Sequence, residues 1–226
     1  MLVLTWNLFH GRAVPPCGRS LQEQFAALIA GWEWDVALLL EVPPWWPAAL
    51  AAAAGAEQRT ALTSRNAALP LRRALAQRWS DAMKSNGGGA NALLARAAIT
   101  EYRAIRLRTW PERRVAQLVR LEDRTCVANF HASTRVALAE AELRRLWEQA
   151  LAFARDAPLV LGGDLNLRSP SAPRDDIRAV ATRDVDHLFA AGLRPLGPGR
   201  TLDRRVRIAD REVELSDHPP LVAALA

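Results

Sequence analysis

Acidic, amide and imidazole side chains follow several short apolar segments of this 226-residue chain. Asp164 and Asn166 come directly after one such segment and are two residues apart, so an extended backbone points both side chains to one face. Asn7, Glu41 and His131 occupy the same position after other apolar segments. Carboxylate and amide oxygens suit the hard cations Mg²⁺ and Mn²⁺, whereas zinc prefers histidine and cysteine clusters. Such a cation, together with carboxylates and imidazoles that can transfer protons, is a combination suited to hydrolysis of a phosphate ester by water.

The apolar segments themselves predict the strands that would hold these groups. Short apolar or alternating runs favour strands over residues 2–6, 36–40, 91–96, 103–109, 113–121, 125–130 and 158–161, and later over 184–189, 203–208, 211–215 and 221–225. The glycine run at 87–89 leads into one of them. Because strand ends on one side of a sheet converge in space, the polar groups that follow them are expected to meet.

Helical spacing is clearest over residues 137–155, where apolar residues recur on one face. Helices are also predicted over 20–31, with Ser20 as the N-cap, over 47–56 and over 174–181, while 57–86 stays unassigned. Helices between long sets of antiparallel strands predict an α/β fold, a four-layer sandwich of two mixed, mainly antiparallel β-sheets flanked by helices.

Composition restricts the class of protein. Half of the residues are hydrophobic, which excludes intrinsic disorder, and no linker divides the chain, so residues 1–226 are predicted to form one domain. No apolar run is long enough to span a bilayer, and the first residues lack the features of a signal peptide. Two cysteines cannot build a disulfide framework or a cysteine zinc site. A soluble, cytoplasmic protein is expected.

The charge is positive and is carried almost entirely by arginine. Lysine and arginine number 30 against 24 acidic residues, a balance of +6, and Lys84 is the sole lysine. Positive charge favours anionic partners, and arginine suits bidentate contacts to phosphate. The arginine pairs are scattered along the chain, however, so no dedicated nucleic-acid stripe is evident.

Seven short motifs together resemble the endonuclease/exonuclease/phosphatase superfamily, the group that contains deoxyribonuclease I, exonuclease III and the neutral sphingomyelinases. In chain order they are Thr5-Trp6-Asn7, Leu40-Glu41, Asn91-Ala92-Leu93-Leu94-Ala95-Arg96, Asn129-Phe130-His131, Gly163-Asp164-Leu165-Asn166, Asp186-His187-Leu188-Phe189 and Ser216-Asp217-His218-Pro219. Each motif alone is weak, but their order and spacing across nearly the whole chain match the family.

The resemblance implies a role for each motif residue. Glu41 would be the principal ligand of Mg²⁺, or of Mn²⁺ in its place, with Asn7 and Asp217 beside it. Asp164 and Asn166 would align the attacking water and the scissile phosphate.

The histidines complete the catalytic set that the resemblance implies. His218 would be steadied by Asp186, and either Asp164 or His218 would take the proton. The deoxyribonuclease I and sphingomyelinase branches of the superfamily carry a histidine in this motif, and the resemblance implies the same place for His131. Its imidazole could protonate the leaving oxygen.

Several neighbouring residues have alternative interpretations. Asp184 competes with Asp186 as the partner of His218, because both fall on the same face of a strand. Asn91 is expected to contact the phosphate or the substrate, whereas His187 is expected to be structural and His10 a bystander.

The adjacent residues Trp45 and Trp46 also allow two interpretations. They either pack against the alanine-rich segment that follows or form an exposed rim that stacks on a base or touches an acyl chain.

The sequence therefore predicts a divalent-metal-dependent phosphoester hydrolase, favoured as a phosphodiesterase or endonuclease acting on nucleic acid through in-line attack of water. A phosphodiesterase or phosphatase acting on a lipid headgroup or a small phosphorylated metabolite is the main alternative, because fold does not fix substrate. A catalytically silent binding protein is the rival from another class. No obligate protein partner is implied.

Overall fold

The computed structural model describes residues 1–64, 66–82 and 89–226, so Gly87 and Gly88 of the predicted glycine run lie outside the described residues. Within these ranges the strands are β1 (Leu2–Asn7), β2 (Ala13–Val14), β3 (Val36–Val42), β4 (Glu57–Leu62), β5 (Ala90–Ala95), β6 (Ile99–Arg108), β7 (Arg114–Leu121), β8 (Cys126–Asn129), β9 (Leu159–Asp164), β10 (Arg178–Arg183), β11 (Asp186–Ala191), β12 (Arg200–Thr201), β13 (Arg205–Ile208), β14 (Arg211–Leu215) and β15 (Leu221–Ala224). The helices are α1 (Gln22–Gly31), α2 (Pro47–Ala54), α3 (Leu69–Arg78) and α4 (Val136–Ala154), and a 3-10 turn covers Phe9–Gly11.

The described strands form two large sheets and a small one. The first large sheet has the order β12-β15-β1-β3-β5-β4, the second has the order β10-β11-β9-β8-β7-β6, and β13, β14 and β2 form the small sheet. Strands β1 and β3 run parallel, as do β8 and β9. The other neighbours in both large sheets are antiparallel.

Alternate residues of the central strands face opposite layers. Val36 and Leu38 of β3 pack with Val160 of the second sheet in the core between the sheets. Ala37 and Leu39 point the other way, into a second core with Phe25 of α1. A strand buried on both faces is apolar throughout, which explains the uninterrupted run from residue 36 to 40.

Helix α4 covers the outer face of the second sheet. Its buried residues recur at helical spacing and pack with apolar residues of β8, β9 and β11; those on the helix are Leu143, Leu146, Trp147, Ala150 and Phe153. With α1 and α2 on the first sheet, the order of layers is helices, sheet, sheet, helix. The predicted four-layer sandwich is confirmed.

The predicted helix over 174–181 is wrong, because residues 178–181 belong to β10 and residues 174–177 are not helical. β10 pairs with β11, and the register shifts between Ala179 and Ala181. This bulge lets the consecutive residues Val180 and Ala181 both enter the core between the sheets. Two adjacent buried residues break the alternation that marks a strand, so the sequence pattern concealed it.

Two further local predictions need correction. Helix α1 has Leu21 at its N-cap position and no side-chain cap, so Ser20 does not cap it. The unassigned segment contains β4 and α3, each of which buries little: Ala61 is the buried residue of β4, and Ala76 that of α3. Elements with so small an apolar face give almost no periodic signal.

The two adjacent tryptophans pack inward. Trp46 is 2% exposed and lies 5.5 Å from the ring of Phe25, while the half-buried Trp45 packs against the same core. This favours the packing interpretation, since a buried Trp46 offers no free face to a base or acyl chain.

The glycines before Asp164 are required by close packing. Gly163 has φ of +140°, and a Cβ there would collide with the carbonyl of Phe130. A Cβ on Gly162 would collide with Leu188 of β11. The Gly-Gly pair thus lets β9 approach β8 and β11 and fixes the position of Asp164.

Replacing Gly163 by alanine should lower the free energy of unfolding by more than about 2 kcal/mol, because strain at positive φ adds to the collision with Phe130. Gly197→Ala is the matched control, since a Cβ there meets nothing within 4 Å, and should change stability by less than about 0.5 kcal/mol. Urea unfolding measures both; equal effects would contradict the packing argument.

Among the described residues, none of the helices is both long and apolar enough to cross a membrane.

Candidate active site

The polar residues that follow the apolar strands come together at one end of the sandwich. Asn7 and Glu41 belong to the parallel strands β1 and β3 of the first sheet, and Asp164 ends β9 of the second. The amide Nδ2 of Asn7 donates a hydrogen bond of 2.9 Å to Oδ2 of Asp164, across the gap between the sheets. The edges of both sheets therefore form one site.

Asp164 lies at the centre of this cluster and is 2% exposed. The backbone N–H of Asn166 donates to its Oδ1 at 3.0 Å. Its Oδ2 lies 3.5 Å from Nε2 of His131 and 3.9 Å from Nε2 of His218. Burial, and then the charge of Asp186, raise the pKa of Asp164 to about 6. One carboxylate thus faces two imidazoles.

Asp186 and His218, 32 residues apart in sequence, are in contact. Oδ2 of Asp186 lies 2.8 Å from Nδ1 of His218 and can accept its proton in a hydrogen bond. Asp184, the competing candidate, is largely exposed and pairs with Arg168 at 3.2 Å. The imidazole is therefore oriented by Asp186, with its Nε2 directed toward Asp164.

The surroundings of His218 favour its charged form. Burial alone would lower the pKa of His218, but the hydrogen bond that its ring donates to Asp186 and the charges of Asp186, Asp164 and Asp217 raise it to about 9. Asp217 Oδ1 lies 4.0 Å from Nε2 of the ring. Three acids around its ring nitrogens therefore favour the imidazolium form of His218.

Glu41 lies on the other side of Asp164, at an irregularity in β3. The pairing of β3 with β5 shifts register between Leu39 and Val42, and Glu41 itself has φ of +49°. Bulges of this kind re-aim a side chain beside active sites. The carboxylate of Glu41 lies 3.2 Å from Nε2 of His10 and 3.9 Å from Nε2 of His131.

The donor set around Glu41 fits a hard cation. Burial, and then the charges of Asp164 and Asp217, raise the pKa of Glu41 to about 7. A carboxylate that is costly to ionise beside two others is relieved by a divalent cation, and oxygen ligands suit Mg²⁺ or Mn²⁺. Asp164, Asp186 and His218 also offer ligand atoms within 4.8 Å of one another.

His131 is in a different electrostatic position from His218. Its pKa is lowered well below 6.5 by burial and then by the positive charges of Arg114, His10 and His218. A neutral imidazole at this place can donate a hydrogen bond from one ring nitrogen, but it is a weak general acid. This weighs against its predicted role as the acid for the leaving group.

The segment that carries His131 is held by a buried glutamate of α4. Glu142 is 1% exposed, and its carboxylate accepts hydrogen bonds from the N–H and the hydroxyl of Ser133 at 2.8 and 2.7 Å. Arg108 pairs with the same carboxylate. The preceding residue, Ala132, accepts a 3.0 Å hydrogen bond from Nδ2 of Asn166. Glu142 thereby fixes the loop on which both His131 and Asn166 depend.

Ser216 joins the segment of Asp217 and His218 to β1. Its hydroxyl donates to the carbonyl of Asn7 at 2.6 Å and accepts from the N–H of His218 at 3.0 Å. The indole N–H of Trp6 donates to the carbonyl of His218 at 2.9 Å. The loop before β15 is thus fastened to the end of β1.

Asn91 lies on β5 opposite the irregularity at Leu40 and Glu41, and His187 lies on β11 opposite Gly163, but the hydrogen bonds of both side chains go elsewhere. Asn91 is 1% exposed, and its Nδ2 donates to the carbonyl of Val115 at 2.9 Å, linking the two sheets. A substrate contact by Asn91 stays a prediction, and its burial does not favour one. His187 is buried with Nε2 2.6 Å from the carbonyl of Leu167, as expected for a structural histidine.

Three residues near the site were missed by sequence reasoning. His10, expected to be a bystander, lies against Glu41. Glu142 is an acidic residue on an amphipathic helix, where acids are usually exposed. Its position next to Leu143, on the apolar face of the helix, was the pattern that could have indicated its burial. Arg114 is 7% exposed, and its charge acts on both Glu41 and His131. Nothing local in the sequence distinguishes it from Arg113.

A comparison with protein-family models identifies the family of this chain. The model described as the Endonuclease/Exonuclease/phosphatase family matches residues 4–218. The chain belongs to this family. Endonuclease/Exonuclease/phosphatase proteins are metal-dependent phosphoester hydrolases, so the predicted superfamily is confirmed and the chain is assigned to that broad class. A search of curated protein sequences finds no match.

Solved structures share the fold at low sequence identity. TDP2 from Caenorhabditis elegans is 18% identical with a TM-score of 0.71, over 99% of this chain and 73% of that one. A mannosyl-6-phosphatase from Bacteroides thetaiotaomicron is 14% identical with a TM-score of 0.72, over 100% and 99%. An endonuclease/exonuclease/phosphatase from Beutenbergia cavernae is 19% identical with a TM-score of 0.68, over 100% and 71%. These likenesses concern the fold, and the substrate must be argued from the site.

Proposed function

We propose that this Endonuclease/Exonuclease/phosphatase protein is a Mg²⁺-dependent phosphodiesterase that cleaves nucleic acid by in-line attack of water. The observation that carries the proposal is the buried Asp164 carboxylate, which lies within 4 Å of Nε2 of both His131 and His218. A carboxylate between two imidazoles, with Glu41 on one side, can align a water against a phosphorus atom.

The metal would be held by Glu41, with Asn7 and Asp217 as further ligands, and Mn²⁺ could replace Mg²⁺. When bound, the cation would offset negative charge on the phosphoryl oxygens. Its ligands lie on elements of the first sheet and on the loop before β15, which Ser216 fastens to that sheet.

Asp164 would accept the proton of the attacking water as the water oxygen bonds to phosphorus; the ester P–O bond would break on the opposite side, and the leaving oxygen would take a proton from solvent. One oxygen of Asp164 is fixed by the N–H of Asn166, and the other faces the two imidazoles. His218 would remain an imidazolium, because Asp186, Asp164 and Asp217 all lie within 4.0 Å of its ring nitrogens. Its charge would stabilise the phosphoryl oxygens as negative charge builds on them.

His131 and Asn166 would complete the cradle by donating hydrogen bonds to the phosphate. Asn166 has φ of +51° and is held by Asp164 and by the carbonyl of Ala132, so its position is fixed before substrate binds. Such pre-organisation lowers the cost of reaching the transition state.

Nucleic acid is favoured as substrate by charge. The chain carries a net charge of +6, nearly all of it arginine, and Arg114 lies beside the cluster. Binding of a single-stranded oligonucleotide should therefore weaken by about twentyfold between 50 and 200 mM salt, if about three phosphates release their counterions.

A substrate panel under Mg²⁺ and Mn²⁺ tests the function. It should contain a single-stranded oligonucleotide, a plasmid, sphingomyelin, a sugar phosphate and bis(4-nitrophenyl) phosphate, with EDTA as the control. We expect cleavage of nucleic acid and of the chromogenic diester, with salt affecting chiefly the former. Turnover of the sugar phosphate or sphingomyelin alone would overturn the assignment to nucleic acid.

A further inference from the structure

The edge of the second sheet that carries Asp164 continues toward a group of arginines. The N–H of Ala132, just after β8, donates to the carbonyl of Asp164, and the register of β7 on β8 sets Arg114 level with Ala132. Arg108 of β6 lies opposite Arg114. Because β9, β8, β7 and β6 are successive neighbours, Arg108 is three strand spacings, or about 14 Å, from Asp164. A strand of a few nucleotides spans that distance.

A depression of about 640 Å³ lies beside this end of β6, between its last residues and α4. Trp110, in the loop that follows β6, forms part of the wall and is 80% exposed. Glu142 of α4 forms another part, and its carboxylate accepts the hydrogen bonds of Ser133, two residues after His131. The depression therefore adjoins the loop that carries His131, and it presents an indole ring to solvent.

The charge in the depression is positive. Arg108 pairs with Glu142, which leaves Arg106 and Arg145 as the unmatched charges of the wall. Both are exposed, and neither forms an ion pair among the described residues. Nη1 of Arg145 donates to the carbonyl of Leu107 at 3.1 Å, which orients the guanidinium and leaves its other N–H groups for a ligand. Two such arginines attract phosphate groups.

An exposed indole beside unmatched arginines fits single-stranded nucleic acid. Every unpaired base has a face that stacks on an aromatic ring, and phosphates recur along the strand within reach of arginines. An anionic membrane requires a broader apolar surface than one ring. Trp110 is the exposed large apolar residue of this depression, since Leu107 is 6% exposed.

We infer that this depression binds a single-stranded part of the nucleic acid substrate, a few nucleotides from the scissile phosphate. A base stacks on Trp110, and Arg106 and Arg145 contact phosphates. This inference deepens the proposed function and rests on it for the identity of the substrate. It adds a strand-binding site at the loop between β6 and β7.

The test measures binding of two fluorescent single-stranded oligonucleotides in EDTA, where no cleavage interferes with the measurement. One carries all its bases, and the other is abasic but keeps every phosphate. Trp110→Ala removes the stacking ring, and the double variant Arg106→Ala/Arg145→Ala removes the unmatched charges. All three side chains are exposed, so these variants should keep the fold.

The matched controls remove exposed side chains far from this edge. Leu196→Ala removes a side chain that is 63% exposed, next to the bridge between Pro195 and Leu225. Arg178→Ala/Arg194→Ala removes two exposed arginines, one at the end of β10 remote from Asp186 and one beside the last residues of the chain.

Trp110→Ala should weaken binding of the complete strand by about tenfold and leave binding of the abasic strand unchanged, because only a base can stack. Arg106→Ala/Arg145→Ala should weaken binding of both strands. It should also reduce the slope of log affinity against log salt by about 1.4, since each phosphate contact to a single strand contributes about 0.7. The controls should do neither. Turnover of bis(4-nitrophenyl) phosphate should be the same in all four variants, since none alters the candidate catalytic cluster.

The outcomes separate this inference from the proposed function. For Trp110→Ala, equal losses on both strands or no loss would overturn the strand-binding site, as would no binding of the complete strand by the unaltered protein. Binding to vesicles of phosphatidylcholine and phosphatidylserine that depends on Trp110, without binding of the complete strand, would assign the depression to a membrane and overturn the inference. Cleavage of oligonucleotide with normal binding by Trp110→Ala would overturn the site and leave the function standing. Base-dependent binding that is lost in Trp110→Ala, with no cleavage under any cation, would support the site and overturn the function.

Discussion

Replacing Glu41 by glutamine should remove most of the Mg²⁺ affinity and slow phosphodiester hydrolysis by about 100-fold or more. Glutamine keeps the shape of the side chain but lacks the negative charge that holds a cation. In the metal-free protein the ionised Glu41 is disfavoured by burial and by Asp164 and Asp217, so its loss should not destabilise the fold. Calorimetric titration with Mg²⁺, and thermal unfolding in EDTA, measure the two effects separately.

Glu122→Gln provides the control, since Glu122 is an exposed acid at the turn between β7 and β8, away from the strand ends that form the site. It should change neither the Mg²⁺ affinity nor the rate. Unchanged Mg²⁺ binding by Glu41→Gln, or full activity of the unaltered protein in EDTA, would show that the cation is held elsewhere or is not needed.

The second large effect is expected at His218 and Asp186. His218→Ala should slow hydrolysis by roughly 10²- to 10⁴-fold, because the positive charge next to the phosphate is lost. Asp186→Asn should slow it by a smaller factor, since asparagine keeps a hydrogen-bonding group but no charge. The double variant should be hardly slower than His218→Ala alone, because residues that act as one unit are not additive.

An NMR titration in EDTA distinguishes orientation from mere structural damage. In Asp186→Asn the pKa of His218 should fall from about 9, since the hydrogen bond and charge of Asp186 hold it there against the effect of burial. Asp184→Asn is the control and should leave the pKa in place, because Asp184 is exposed and pairs with Arg168. Additive rate losses in the double variant would refute the pairing.

The convergence of the site could be predicted because it depends on strand ends. Asn7, Glu41 and Asp164 each follow or end an uninterrupted apolar run, and such runs must be buried with their ends aligned at one edge. Alternation alone places Asp184 and Asp186 on one face and does not choose between them; the register that sets Asp186 opposite Asp164 brings Asp186 to His218.

What could not be predicted depends on local irregularities and long-range contacts. The left-handed backbone at Glu41 aims its carboxylate toward His10, and no periodic pattern reports a bulge in advance. The bulge in β10 disguised a strand as a helix by burying two consecutive residues. Glu142 acts on a loop that another segment supplies, so its role exists only once α4 has packed.

The fastening of the loop before β15 to the end of β1 has a consequence for folding kinetics. The Ser216 hydroxyl and the Asn7 carbonyl that it binds are 209 residues apart in sequence. Closing so large a loop costs chain entropy, and topologies rich in such distant pairings have high contact order and fold slowly. A nascent or partly refolded chain can therefore contain α4 and its sheet while the Asp217 and His218 segment is still detached. The candidate site is therefore complete only when segments from both ends of the chain are in place.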